Sequence, residues 1–293
     1  MDKSFLITTG NQHQYVYSDA LCYFLYVPEE MATVMEHMDA SLVDRTNYYE
    51  RKLKFLKEHC FFEKREVTFQ TDYSEELVKR NLAGLRQLLI EVTDRCNLEC
   101  KYCGYGEFYS NYDRRETGDQ SFENVKLLVD YLTKLWCSDY NVSHKNEITI
   151  GFYGGEPLLN MKLVKETIAY IESLNLPSLI FNYNTTTNAM LLDRYMDYLV
   201  EKNFSILISL DGNEVQSAYR VDKHGNSSFS RVVRNVKKLQ ETYPDYFEKK
   251  VNFNSVLHNL NSVAECYYSI KELFGKNPRI CLLYTSPSPR DRG

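Results

Sequence analysis

From about residue 86 onward, short runs rich in β-branched and aromatic residues alternate with longer segments whose apolar positions recur every three or four residues. Strands are predicted at LLIEVT (88–93), EITIGFYG (147–154), LIFNYNTT (179–186), FSILISL (204–210) and KVNFNSVL (250–257), with a sixth beginning at Arg279. Helices are predicted near 121–137, 161–174, 190–202, 228–242 and 261–274. In the first of these, Val125, Leu128, Val129, Leu132 and Leu135 fall on one face, suited to docking against a sheet. Strands alternating with helices in this way predict an α/β fold, with βα units wound right-handed around a parallel sheet or barrel.

Residues 1–84 lack that alternation. Two β-like runs, FLITT and QYVYSDALCYFLYV, precede a helical stretch through YYERKLKFLKEHCFF and then EVTFQ. They predict a small α+β N-terminal module, with its boundary between Tyr73 and Asn81. Residues 85–280 form the predicted core. Residues 281–293, CLLYTSPSPRDRG, follow neither period. The peptide from Cys281 to Asp291 resembles the translation of a transposase sequencing adaptor; a native proline-rich tail is the other reading. On the adaptor reading the natural sequence breaks off near Ile280 and Cys281 is no ligand. The barrel is then incomplete at its C-terminal end, with the edge of its last strand uncovered.

Composition narrows the function classes. A chain of 293 residues with 43% hydrophobic and 26% charged residues can bury a sizeable core. The net charge of -5 argues against a nucleic-acid partner held by bulk electrostatics. No run approaches the roughly 18 apolar residues of a membrane span, and the start MDKSFLITTGNQ lacks a signal-peptide layout. A cytoplasmic protein with no membrane partner is expected. Eight cysteines without a secretion signal point to metal or redox chemistry rather than disulfides. Cys22, Cys60, Cys137 and Cys266 stand alone in apolar or helical surroundings and read as buried packing thiols.

The remaining chemistry concentrates at predicted strand ends. TDRCNLECKYCGYG places Cys96, Cys100 and Cys103 in a C-x3-C-x2-C spacing just after the first core strand, at the C-terminal strand end where the catalytic loops of a βα barrel gather. Three thiolates on one loop can hold three irons of a cubane and leave the fourth open to substrate. The spacing also suits a three-cysteine zinc site, an electron-transfer cluster or three unrelated cysteines. Structural zinc wants four ligands, and no second Cys or His pair follows at suitable spacing.

CNLECKYC resembles the signature of radical S-adenosylmethionine (SAM) enzymes, with Tyr102 as the aromatic residue before the third cysteine. GFYGGEPLL (151–159), TTTNAMLL (185–192) and SLDG (209–212) follow in the order found in peptide- and protein-maturing members of that family, with Ala189 where relatives have Gly. The resemblance implies a partial (β/α)6 radical SAM barrel with a [4Fe–4S] cluster on Cys96, Cys100 and Cys103. It implies that Gly155 and Glu156 bind the amino group of SAM's methionine moiety and that Tyr102 packs near adenine. Ser209 would approach SAM, and Arg220 would reach its polar part, although Ser217 and Ala218 replace the usual His-Asp pair before that arginine. Val256 and Leu257 would cradle adenine, while His258 is expected to face solvent.

The activity implied is reductive cleavage of SAM to a 5′-deoxyadenosyl radical, which abstracts hydrogen from substrate. The motif order looks most like maturases that crosslink ribosomally made precursor peptides, served by an electron donor such as flavodoxin or ferredoxin. Such enzymes usually carry a C-terminal SPASM domain with auxiliary [4Fe–4S] clusters, whose ligands would lie beyond Ile280. Residues 1–84 would then read a leader peptide or merely cap the barrel. A sulfatase-type maturase forming formylglycine and a non-catalytic iron–sulfur or zinc protein are the alternatives.

Overall fold

The computed structural model describes residues 6–36, 48–63, 73–104, 118–142 and 146–282. The EVTFQ run (66–70) and the tail from residue 283 lie outside the described residues. The chain divides into two compact units, at Asp72/Tyr73.

In the first unit, β1 (Leu6–Thr8), β2 (Gln14–Ser18) and β3 (Tyr23–Val27) form an antiparallel sheet in that order. The long run QYVYSDALCYFLYV is therefore two strands. A turn breaks it where Ser18 Oγ accepts the Leu21 N–H at 3.2 Å and Cys22 takes a left-handed φ of 50°. Helices α1 (Glu29–Glu36) and α2 (Tyr48–Glu58) follow. Val16, Val27, Met31, Leu53 and Phe61 make the core of this unit.

The second unit opens with α3 (Glu75–Ala83), capped by Ser74, whose side chain accepts the Leu77 N–H. Six parallel strands then run in sequence order across one sheet. They are β4 (Gln87–Thr93), β5 (Glu147–Gly154), β6 (Ile180–Thr187), β7 (Ser205–Ser209), β8 (Val251–Leu257) and β9 (Arg279–Leu282). Between them lie α4 (Phe122–Trp136), α5 (Met161–Ser173), α6 (Leu192–Glu201), α7 (Phe229–Thr242), α8 (Pro244–Lys250) and α9 (Val263–Phe274). The six strands are those expected from the sequence. Sequential order is what repeated βα units dictate, because each helix returns the chain to start the next strand alongside the last. Among the described residues the sheet is open, with no pairing between β4 and β9.

Strand alternation decides which face is buried. Leu88, Ile90 and Val92 of β4, with Ile148, Ile150 and Phe152 of β5, belong to a core shared with Val125, Val129, Leu132 and Ile168 of the helices. Leu128, expected on the docking face of α4, is exposed, and Trp136 is buried there instead. The opposite face of the sheet is uncovered at Leu89 and Tyr153. The core thus fixes the strand ends from one side only, which leaves their C-terminal loops free to build a site.

Candidate functional site

The loop after β4 carries the three cysteines, and backbone bonds give it a fixed seat. The ladder shifts register between Glu91 and Thr93. Thr93 Oγ1 then donates to Asp119 Oδ1 at 2.6 Å and accepts the Arg95 N–H at 3.1 Å. Farther on, Glu99 N–H donates to Val221 O (2.8 Å), Lys101 N–H to Tyr219 O (3.1 Å) and Cys103 N–H to Cys100 O (3.0 Å). Cys96, Cys100 and Cys103 are all half-buried. Burial pushes the Cys100 thiol up to about 11; the Arg220 charge opposes this, while Cys96 and Cys103 reinforce it.

Gly154 and Gly155 are glycines because backbone passes where a side chain would stand. A Cβ would lie 2.3 Å from Thr93 O at Gly154, which has φ +128°, and 2.2 Å from Arg95 O at Gly155. Gly155 N–H donates to Thr93 O and Glu156 N–H to Arg95 O, both at 2.8 Å. The Gly-Gly pair therefore lays the end of β5 against the root of the cysteine loop.

The Glu156 carboxylate is buried: Oε1 accepts from Thr187 Oγ1 (2.6 Å) and Leu158 N–H (3.1 Å), and Oε2 from Asn188 N–H (2.8 Å). Three donors thus tie β5 to β6 through this carboxylate, and Oε2 keeps room for a further donor. Burial raises its pKa to about 7, although those three hydrogen bonds pull it down.

Asn188 passes this anchorage to the cysteine loop. Its Nδ2 donates to Asn97 Oδ1 at 2.8 Å and to Cys96 Sγ at 3.8 Å, and the Leu98 N–H donates to the same sulfur at 3.4 Å. The next residue, Ala189, keeps the left-handed turn (φ 59°) that a glycine would take at less cost.

On the other side of the loop the central group is Asp211, buried at the turn after β7. Arg220 binds it through Nε and Nη2, each at 3.0 Å, and Val256 N–H donates to it at 2.9 Å. Tyr102 Oη donates to it at 2.5 Å, and His258 Nε2 lies 3.8 Å away. Burial would raise this carboxyl, but the Arg220 charge, the neighbouring His258 ring and the hydrogen bonds from Arg220 and Tyr102 hold it down at about 2. Arg220 also sits 5.3 Å from the Tyr102 ring centroid.

Several expectations change accordingly. Arg220 and the hydroxyl of Tyr102 are directed at Asp211, and the Val256 N–H is bound there too. His258 is buried, not solvent-facing: its ring stacks on Tyr102 at 5.7 Å, Nδ1 accepts the Leu260 N–H at 3.1 Å, and Nε2 lies 3.2 Å from Asn261 Nδ2. Leu257 is half-buried. Ser209 is also half-buried, and its hydroxyl bonds to none of the described residues. Of the isolated cysteines only Cys266 is buried, its thiol donating to Asp211 O at 3.3 Å; Cys22, Cys60 and Cys137 are exposed. Asp211 and Asn188 escaped selection although SLDG and TTTNAMLL contain them. Their signal was position in those motifs, with nothing to show which side chain turned inward.

The donor set fits an iron–sulfur cluster. Two N–H groups aimed at Cys96 suit a thiolate, and Arg220 places positive charge within reach of Cys100. Among the described residues no three His, Cys, Asp or Glu side chains converge on a point where one ion could bind.

The profile of the Radical SAM superfamily matches residues 90–262, which takes in the cysteine loop and the ends of β4 through β8. The chain belongs to that superfamily. Radical SAM enzymes use a [4Fe–4S] cluster and SAM. This radical SAM chain is 34% identical over 146 residues to the uncharacterized protein MJ0907 of Methanocaldococcus jannaschii, covering 50% of the chain and 45% of that protein. It is 27% identical over 168 residues to a cysteine-type anaerobic sulfatase-maturating enzyme of Clostridium novyi, covering 56% of the chain and 43% of the enzyme. It is 24% identical over 198 residues to the radical SAM cyclopropyl synthase TigE of Paramaledivibacter caminithermalis, covering 66% and 40%. Among solved structures, native anSMEcpe with bound AdoMet superposes with a TM-score of 0.57 at 23% identity, covering 68% of this chain and 52% of that one. That match shows a shared fold. The chain spans less than half the length of these curated relatives. Among the described residues no helix is long and apolar enough to cross a membrane.

Proposed function

We propose that this chain carries the SAM-cleaving core of an enzyme that modifies peptides or proteins, with Cys96, Cys100 and Cys103 ligating the cluster. The observation that carries the reading is the convergence of the three thiols with the ends of β5 through β8 on one loop seat. Once bound, cluster and SAM supply a 5′-deoxyadenosyl radical for hydrogen abstraction from substrate. The protein's own contribution is position. Gly154 and Gly155 seat the end of β5 against the loop, and Gly155 with Glu156, whose Oε2 accepts only the Asn188 N–H, is the proposed receiver of SAM's amino group. Ser209 offers an uncommitted hydroxyl at the end of β7. Arg220 and Tyr102, locked to Asp211, wall the site on the β7 and β8 side, with Val256 and Leu257 as its apolar neighbours.

Two substrate readings stand beside each other. The order of GFYGGEPLL, TTTNAMLL and SLDG favours a ribosomally made precursor peptide; the cysteine- and serine-type sulfatase-maturating relatives favour a protein Cys or Ser. A short precursor gene beside this one would support the former, and a sulfatase gene the latter. Residues 1–84 are proposed as the reader of a leader segment on the peptide reading, with flavodoxin or ferredoxin as electron donor.

The class itself is tested by anaerobic reconstitution with iron and sulfide, followed by reduction with SAM present. The parent is expected to release 5′-deoxyadenosine and methionine, and Cys100→Ala none. Deoxyadenosine formation at the parent's rate in Cys100→Ala refutes the ligand assignment.

A further inference from the structure

We infer that Asn188 is a positioning residue for the cluster, whose side-chain amide hydrogen-bonds the Cys96 thiolate and raises the reduction potential of the iron–sulfur group bound there. This rests on the ligand assignment proposed above.

The inference comes from how completely the amide's orientation is determined. Asn188 Oδ1 accepts the Met190 N–H at 3.0 Å, closing a turn over Ala189, whose left-handed φ of 59° brings that N–H round. With the oxygen so occupied, Nδ2 must point the other way. There it meets two acceptors, Asn97 Oδ1 at 2.8 Å and Cys96 Sγ at 3.8 Å, one for each of its hydrogens. Flipping the amide would set its oxygen against Asn97 Oδ1 and its NH2 group against the Met190 N–H, losing every bond. The backbone is pinned as well, because Asn188 N–H donates to Glu156 Oε2 at 2.8 Å and Ala189 N–H donates to Thr187 Oγ1 at 3.0 Å. Asn188 is largely buried, so the N–H···S contact is shielded from water.

A donor aimed at a ligating sulfur withdraws electron density from the thiolate. It thereby favours the reduced, more negative cluster, and hydrogen bonds to the sulfurs are among the features that set such potentials. Ala cannot donate. Asp keeps the oxygen that accepts the Met190 N–H but sets a second oxygen against the sulfur and Asn97, so it should act in the same direction and more strongly.

The test is a reductive titration, followed by electron paramagnetic resonance, of the full chain after anaerobic reconstitution. Parent, Asn188→Ala, Asn188→Asp and Asn97→Ala are compared, with iron content measured for each. The expected order of midpoints is parent and Asn97→Ala together, then Asn188→Ala lower, then Asn188→Asp lowest, at equal iron content in all but the alanine variant at 188. If Asn188→Ala takes up less iron, the near-isosteric Asn188→Asp decides. The inference is overturned if Asn188→Asp keeps the parent's midpoint, or if it fails to hold iron, since the residue would then serve only to shape the loop. A parent chain that forms no reducible cluster refutes the ligand assignment itself, a result distinct from an unmoved midpoint.

Discussion

Two buried carboxylates flank the cysteine loop and respond to burial in opposite ways. Glu156, on the β5 and β6 side, is held by neutral donors alone and is pushed up to about 7. Asp211, on the β7 and β8 side, is equally buried but faces the Arg220 guanidinium and is held at about 2. Each serves as a clamp: Glu156 grips the loop through Asn188 and Cys96, Asp211 through Tyr102. Neutral hydrogen bonds do not repay the cost of burying a charge, whereas a bidentate arginine does. One clamp is therefore sensitive to pH near neutrality and the other only in strong acid.

The largest effect should come from breaking the charged clamp. Asp211→Ala leaves the Arg220 cation buried without its partner and should cost about 3–5 kcal/mol in urea unfolding. Adding Arg220→Met should recover much of that loss, because the stranded charge is then gone. A double variant no more stable than Asp211→Ala would show that packing, rather than charge, dominates this side. Asp211 also sets an acid limit. Its folded pKa lies below the ordinary 3.8, so its contribution, about 2 kcal/mol, is present above pH 4 and is lost as pH falls toward 2.

The neutral clamp should show the opposite slope. Because the folded pKa of Glu156 lies above its ordinary 4.5, the folded chain retains a proton that the unfolded chain has released. Stability is then greatest below about pH 4.5 and declines as pH rises through 7, by about 3 kcal/mol in all. Glu156→Gln mimics the protonated form and should remove that decline. Urea midpoints of parent and variant, measured from pH 5 to 7.5, should diverge as pH increases. Parallel curves would mean that the carboxylate stays ionised throughout.

These clamps mark where the sequence stopped being informative. The strands were legible because each carries its apolar residues at alternate positions, as Leu88, Ile90 and Val92 do, and because the helices between them are long enough to show their own period. Helix α8 was not, since Pro244 reads as a break and seven residues bury only Phe247. Helix α3 announces itself by Ser74 followed by Glu75 and Glu76, but its nine residues fall at the junction of the two units and are too few to show a clear apolar period. At the site, the cysteines were legible from spacing, which is local. Tyr102 and Asp211 are 109 residues apart, so nothing local tells that the hydroxyl of one meets the carboxylate of the other. The partners of Glu156 are hidden for a related reason: the motif shows a carboxylate, but not that Thr187 and Asn188, some thirty residues on, donate to it.

The smallest expected effect concerns Ala189, at the turn that holds Asn188 in place. A left-handed conformation costs an L-residue about 1–2 kcal/mol, which glycine would relieve. Against this, Ala189 is fully buried, and losing its methyl forfeits about 0.8 kcal/mol of burial, with a further ~0.5–1 kcal/mol of backbone entropy. The terms nearly cancel, so Ala189→Gly should shift stability by less than about 1 kcal/mol. A loss above about 2 kcal/mol in urea unfolding would show that the methyl packs more tightly than this balance allows. The neutral clamp would then depend on that side chain as well as on its hydrogen bonds to Glu156, Thr187 and Asn188.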